Sequence, residues 1–291
     1  MKIEEFLNYL EYERNYSYNT IIAYKNNINK FFMYCKNNNI NNIDNIDYGF
    51  IRNYISYLYD NNYQAKSISR MISALRSYFK YLHKEDKIKS NPLDLITSPK
   101  LEKKLPKYLT INEIEKILNA VKIDDKIGIR DAFILELLYV SGIRVSELTN
   151  IKLSDINNTE NKIKIMGKGS KERIVFYGTR GRDLLNKYLS VRSEFLKYPN
   201  DYLILSNTGR KINPREIRNI INRIKVKAGV EINISPHTFR HTFATHMLNE
   251  GADLRSVQEL LGHENLSTTT IYTQLTNEKM RRTYLNTHPR A

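Results

Sequence analysis

Cysteine is nearly absent from this chain of 291 residues: its one thiol, Cys35, excludes a disulfide framework within the chain and fits a reducing compartment. Long apolar runs are missing too. The strongest, Ala132 to Val140, is short and carries Glu136, so no stretch reads as a membrane span. The opening Met1-Lys2-Ile3-Glu4-Glu5 places acids where a secretory signal needs an apolar run. Internal repeats are lacking, and runs such as Asn37-Asn38-Asn39 reflect composition alone. These absences lead us to expect a soluble, cytoplasmic protein without a membrane partner.

Acidic residues are in deficit: 31 Asp and Glu face 46 Lys and Arg, for a net charge of +15. Through Lys107 there are 17 basic and 11 acidic residues, and beyond it 29 and 20, so both halves are basic. One basic tail on a neutral body is thereby excluded. A polyanion touching both halves produces this pattern, and duplex DNA is the commonest such partner. A generally basic, solubility-driven composition produces it equally, so charge alone does not decide. With 41% hydrophobic residues, each half has enough apolar material for its own core.

The first stretch is helical in pattern. Ile3, Phe6, Leu7 and Leu10 recur at helical spacing. Ser17 reads as the N-cap of a second helix carrying Ile21, Tyr24, Ile28, Phe31 and Phe32 on one face. A third helix is expected near Asp47 to Tyr59 and a fourth near Ala65 to His83. Four amphipathic helices make a small bundle over 1–85. Periodicity then stops: 86–107 holds Pro92, Pro99 and Pro106 with Lys100, Lys103, Lys104 and Lys107, the composition of an extended basic linker. The second domain, 108–291, starts at Thr110-Ile-Asn-Glu113, a capping box. Asp131 to Tyr139 reads as a buried helix. A hairpin follows, with Lys162 to Met166 and Glu172 to Tyr177 flanking Gly167-Lys168-Gly169-Ser170. Helical patterns then dominate, broken at Pro199, Pro214, Pro236 and Gly262. The expected fold is mainly α with a small β-sheet.

Candidate chemistry lies in four segments. Arg144 and Glu147 stand one helical turn apart, which a surface ion pair of a few tenths of a kcal/mol also explains. Lys168 falls between two glycines at a hairpin tip, as a plain surface turn would have it. A phosphate-loop reading fails, because Lys162 occupies the position where that motif needs glycine. In Ser235-Pro236-His237-Thr238-Phe239-Arg240-His241, Pro236 suits a first helical turn, and His237 and Arg240 then share one face at an anion-favouring helix start. His237 and His241 at i,i+4 could instead ligate a metal, but Glu250 and Asp253 lack ligand spacing, and no metal is expected. His246 reads as a packed or capping histidine. Tyr272 is one tyrosine among 21, singled out only by its surroundings, which include His263.

Together these groups fit attack on a phosphodiester. The reaction puts extra negative charge on the non-bridging oxygens, which two arginines, Arg144 and Arg240, can meet without a metal. A tyrosine oxygen of pKa ~10 is both a usable nucleophile and a leaving group, so its phosphate ester can be attacked again. The departing DNA 5′-hydroxyl is more basic and needs a proton, a general-acid task suited to Lys168. His237 and His263 can hold the phosphate and handle the nucleophile's proton. The ester conserves the bond energy, so no ATP and no cofactor is needed.

This constellation resembles the tyrosine site-specific recombinases, in particular their Xer branch. Arg144 matches the first catalytic arginine, with Glu147 the acidic residue that supports it. Lys168 matches the hairpin lysine, His237 and Arg240 the His-x-x-Arg box, His263 the later His/Trp position and Tyr272 the nucleophile. Glu13-Arg14-Asn-Tyr-Ser17-Tyr-Asn19-Thr20-Ile-Ile-Ala23-Tyr24, Ser73-Ala-Leu-Arg76, Asn91-Pro92, Pro99-Lys100, Leu105-Pro106 and His288-Pro289-Arg290-Ala291 extend the match over essentially the whole length. Departures are Phe239 for a usual leucine, Gln274 where histidine is frequent, and a second hairpin strand without its usual proline. The resemblance implies a four-helix core-binding domain and a mostly helical catalytic domain that clamp double-stranded DNA. It also implies a 3′-phosphotyrosyl intermediate and resolution of chromosome dimers at a dif-like site. A homo- or hetero-tetramer on paired sites is implied as well, joined through a C-terminal tail helix at about 277–287, with a septal DNA translocase as activator. The residues themselves say only that Met280, Tyr284 and Leu285 form an apolar stripe that must be buried within the protomer or outside it. The alternatives are a mobile-element integrase or DNA invertase of the same family, a type IB topoisomerase-like enzyme, and a non-catalytic DNA-binding regulator.

Overall fold

The computed structural model describes residues 3–99, 107–167, 172–262 and 273–291. The chain divides into two compact units, Met1–Lys104 and Leu105–Ala291.

The first unit is helical. Helix α1 (Glu4–Asn8) runs into a π turn (Tyr9–Glu13), followed by α2 (Tyr18–Asn37), α3 (Tyr48–Asp60) and α4 (Ala65–Lys84). Ser17 caps α2 by accepting a hydrogen bond from the Thr20 amide, and Asp47 caps α3 the same way from Phe50. The core is aromatic: Phe6, Phe31, Tyr54, Tyr78 and Phe79 are buried together, and most of their rings meet edge to face. The segment expected to be linker from residue 86 does not begin as one. Ile88, Leu93 and Ile96 are buried in this core, and Arg76 donates to the Ile96 carbonyl at 2.7 Å. Three apolar residues at irregular spacing among lysines and prolines anchor an irregular strap that has no period to read. The remainder of the expected linker, 100–106, lies outside the described residues.

In the second unit the Thr110–Glu113 capping box starts α5 (Ile111–Asn119), as the sequence predicts. Helix α6 (Lys126–Ser141) is the central element, buried on all sides from Arg130 to Ser141. A short helix, α7 (Val145–Leu148), precedes a three-stranded antiparallel sheet in the order β1 (Ile156–Asn157), β2 (Lys162–Met166), β3 (Glu172–Phe176). The register pairs Ile163 with Val175 and Ile165 with Arg173. Sequence patterning finds β2 and β3 but not β1, whose two residues are too few to show alternation. Helices α8 (Gly178–Arg192), α9 (Pro214–Lys227), α10 (Pro236–Asn249) and α11 (Leu254–Leu261) complete the shell, with α12 (Thr273–Thr287) last.

The apolar stripe of α12 is only partly covered by its own chain. Tyr284 and Met280 pack against Phe176, Phe243, Leu260 and Leu261, whereas Leu285 stays exposed. His288 stacks on Tyr284 and Phe243, and Arg290 donates to Glu136 at 2.7 Å. Burial, with the neighbouring His246 and Arg290 charges, pushes the His288 pKa down to about 3. An unfolded histidine titrates near ~6.5, so below that pH the unfolded chain takes up a proton that the folded chain refuses. Stability should therefore fall as pH drops from about 6.5 toward 3. We expect the thermal midpoint of wild type to fall more steeply between about pH 6.5 and 5 than that of His288→Phe. Parallel pH curves would contradict a buried neutral imidazole.

Candidate active site

Two arginines approach the same stretch of main chain from different elements. Helix α10 begins at Ser235, whose hydroxyl accepts from the Thr238 amide, with Pro236 in its first turn. That start places Arg240 one turn in, where it is buried. Its Nη1 donates to the Gly142 carbonyl at 2.7 Å and its Nη2 to the Leu261 carbonyl at 2.6 Å. Gly142 ends α6 with φ +56°, and a Cβ there would come within 2.7 Å of Phe243 and 2.8 Å of Leu261. Only glycine turns the chain at that point and leaves its carbonyl to Arg240.

Arg144 sits just before α7 in extended conformation, its side chain 34% exposed. It donates from Nη1 to Glu147 at 2.9 Å and from Nη2 to the Gly262 carbonyl at 3.2 Å. Arg144 and Arg240 thus meet at consecutive carbonyls, 262 and 261. His237 is exposed in the first turn of α10, one turn before Arg240. His246 is buried instead, bonded to Tyr139 and the Leu109 carbonyl, a packed histidine as its apolar setting predicts. Lys168, His263 and Tyr272 lie outside the described residues.

Glu147 is not the surface partner that its spacing also allows. It is buried and serves three donors: the Arg144 side chain, the Arg144 amide at 2.9 Å, and the guanidinium of Arg173 on β3. Arg173 binds it with two parallel hydrogen bonds, both 2.7 Å. Burial works against the Glu147 charge. The hydrogen bonds and charge of Arg173, then the hydrogen bonds from Arg144, outweigh it and hold the carboxyl below its usual range. Arg240 is lowered as well, but here against its charged form: burial, followed by the charges of Arg144 and Arg173, brings it to about 10, so it stays charged near neutral pH.

Sequence reasoning missed Arg173. The available signal was a charged residue opposite Ile165 in the hairpin, within reach of the core, where alternation alone would call for an apolar side chain. Among the described residues no group of three His, Cys, Asp or Glu side chains could hold a metal ion, and no helix is long and apolar enough to cross a membrane.

Among the described residues the arrangement gathers three guanidinium groups, one carboxylate and backbone carbonyls, a basic cluster suited to a phosphate. Comparison with known proteins gives the class. The model of the phage integrase family matches residues 107–279, and that of the phage integrase N-terminal SAM-like domain matches residues 3–86. The chain is 43% identical to the tyrosine recombinase XerC of Anoxybacillus flavithermus over 98% of its own length and 97% of that protein. It is 41% identical to the tyrosine recombinase XerC of Bacillus subtilis, over 99% and 96%. The crystal structure of a XerH site-specific recombinase bound to palindromic difH substrate, in a post-cleavage complex, superposes with a TM-score of 0.73 at 26% identity, covering 92% of this chain and 80% of that one. Fold and relatives together define a tyrosine recombinase, an enzyme that breaks and rejoins DNA. The chain belongs to the phage integrase family, in its Xer branch.

Proposed function

We propose that this recombinase resolves chromosome dimers by exchanging strands between two copies of a short dif-like site. The observation that carries the chemical part of the reading is the meeting of Arg144 and Arg240 at the carbonyls of Gly262 and Leu261. Two guanidinium groups held by main chain are preorganised, so little reorganisation is needed when charge builds on a phosphate between them. The Tyr272 oxygen attacks the scissile phosphorus, forming the O–P bond of a 3′-phosphotyrosyl link while the bond to the 5′-oxygen breaks. Lys168 gives that oxygen its proton, and His237 and His263 hold the phosphate and accept the phenolic proton. Attack by a 5′-hydroxyl of the other duplex reverses the sequence and frees Tyr272. Near full-length likeness to XerC proteins supports the chromosomal role over that of a mobile-element integrase.

Double-stranded DNA is the partner of this reading, met by both basic units. Strand exchange needs four protomers on two sites, and we assign their contacts to the C-terminal tail. Because α12 is packed on its own unit, assembly through it requires the tail to leave that place.

Neither a metal nor ATP enters any step. EDTA should leave cleavage of a nicked suicide duplex unchanged; complete loss restored by added metal would overturn this part. In a separate assay, plasmids carrying two copies of the candidate chromosomal site should yield resolved products. Relaxation without recombinants would point to a topoisomerase-like enzyme instead.

A further inference from the structure

We propose that Arg173 is a positioning residue for the cleavage step: by taking up the charge of Glu147, it leaves Arg144 free to act on the scissile phosphate. The inference rests on the assignment of Arg144 in the proposed function.

Among the described residues, Arg144, Arg173 and Arg240 cluster with one carboxylate, Glu147, which pairs with the first two, so this cluster carries two positive charges in excess. A phosphodiester carries one negative charge and approaches two as a nucleophile adds to phosphorus, which the excess matches. Which arginine Glu147 offsets is decided by geometry. Arg173 faces the carboxylate with two parallel 2.7 Å hydrogen bonds, whereas the Arg144 side chain reaches one oxygen at 2.9 Å, gives a second donor to the Gly262 carbonyl and keeps the others. Each Glu147 oxygen accepts one bond from Arg173 and one from Arg144, through the side chain at Oε1 and the amide at Oε2, so the carboxylate is held at all sides.

Remove Arg173, and both of its bonds to a buried carboxylate are lost. Arg144 is then the nearest guanidinium able to fill them and would turn into a two-pronged pair with Glu147, away from the phosphate. Arg173 itself has little freedom. Its side chain is 12% exposed, β3 holds its backbone opposite Ile165, and a Cβ on Gly262 would lie 2.9 Å from its Cδ. Arg240 is lowered first by its burial and then by the charges of Arg144 and Arg173, the second part of which fits an excess of positive charge in the cluster.

The test separates charge neutralisation from simple structural support. Replacing one non-bridging oxygen of the scissile phosphate with methyl gives a neutral methylphosphonate, whose reaction builds one unit less negative charge and depends less on Arg144. Wild type, Arg144→Ala and Arg173→Ala are compared on suicide duplexes carrying either group, with release of the 5′-hydroxyl strand as the readout. On the phosphodiester, Arg173→Ala should be slower on the order of 100-fold, as for a displaced catalytic group, with DNA binding nearly unchanged. On the methylphosphonate most of that deficit should vanish, as it should for Arg144→Ala. Should Arg173→Ala not fold, the same ratio is read on Arg173→Lys, which keeps the charge but can hold only one Glu147 oxygen at a time. If Arg144→Ala is relieved and the Arg173 variant is equally slow on both substrates, the positioning role is overturned. If Arg144→Ala itself shows no relief, the assignment of Arg144 falls, and this inference with it.

Discussion

Tyr272→Phe should form no SDS-resistant adduct with a nicked suicide duplex under conditions where wild type accumulates one. The substitution removes a single oxygen and leaves the ring, so little else can account for the loss. Many other tyrosines are poor substitutes for physical reasons. Burial pushes Tyr78, Tyr139 and Tyr177 up to about 12, and Tyr54 and Tyr188 also upward, so their phenolates form less readily and leave phosphorus less readily. Of the exposed tyrosines, Tyr12, Tyr18 and Tyr59 belong to the first unit, which carries neither of the paired arginines, while Tyr108 and Tyr198 lie in the second unit and serve as controls. The loss should be total rather than partial, because a water attacking in place of the Tyr272 oxygen would leave a free phosphate and no protein-linked ester. An adduct of undiminished yield in Tyr272→Phe would remove this residue from the reaction.

Arg240→Ala should bind the site at moderate salt yet cleave it about 10²–10³-fold more slowly, the usual effect of removing one preorganised donor to a developing oxyanion. The side chain is buried and ties the Gly142 carbonyl to that of Leu261, so part of any loss could come from the fold. Arg240→Lys separates the two effects. It keeps a positive charge, but a single ammonium cannot bond both carbonyls and present a fork to the phosphate. A slow Arg240→Lys with a thermal midpoint near that of wild type would place the defect in chemistry. Near-normal cleavage by both variants would exclude Arg240 from the site. Binding should respond far less than rate, since one lost phosphate contact lowers the salt dependence by only about one unit.

Much of the fold was legible in the sequence because its signals are local. Thr110 with Glu113, and Ser17, start helices through hydrogen bonds spanning three residues, and their side chains do in the structure what their spacing predicts. The hairpin strands alternate over five residues each. What escaped depends on distant parts of the chain. Ile88, Leu93 and Ile96 join the first core through irregular spacing, so a segment rich in lysine and proline reads as linker well before the packing ends. Arg144 and Glu147 look like a surface pair until Arg173, 26 residues beyond Glu147, closes over the carboxylate. The stripe on α12 announces burial but not against what; Phe176, Phe243 and Leu260 decide that, from three separate elements. Residues 168, 263 and 272 fall outside the described residues, and their roles rest on the resemblance and on chemical need.

The central claim is covalent attachment of DNA at one tyrosine, and mass spectrometry of the trapped adduct reads it directly. After nuclease trimming and trypsin digestion, the fragment 256–279 contains a single tyrosine, Tyr272. The account requires the added nucleotide mass on that fragment, localised to Tyr272 and joined through the 3′-phosphate. Nucleotide mass on any other fragment, or joined through a 5′-phosphate, would contradict it.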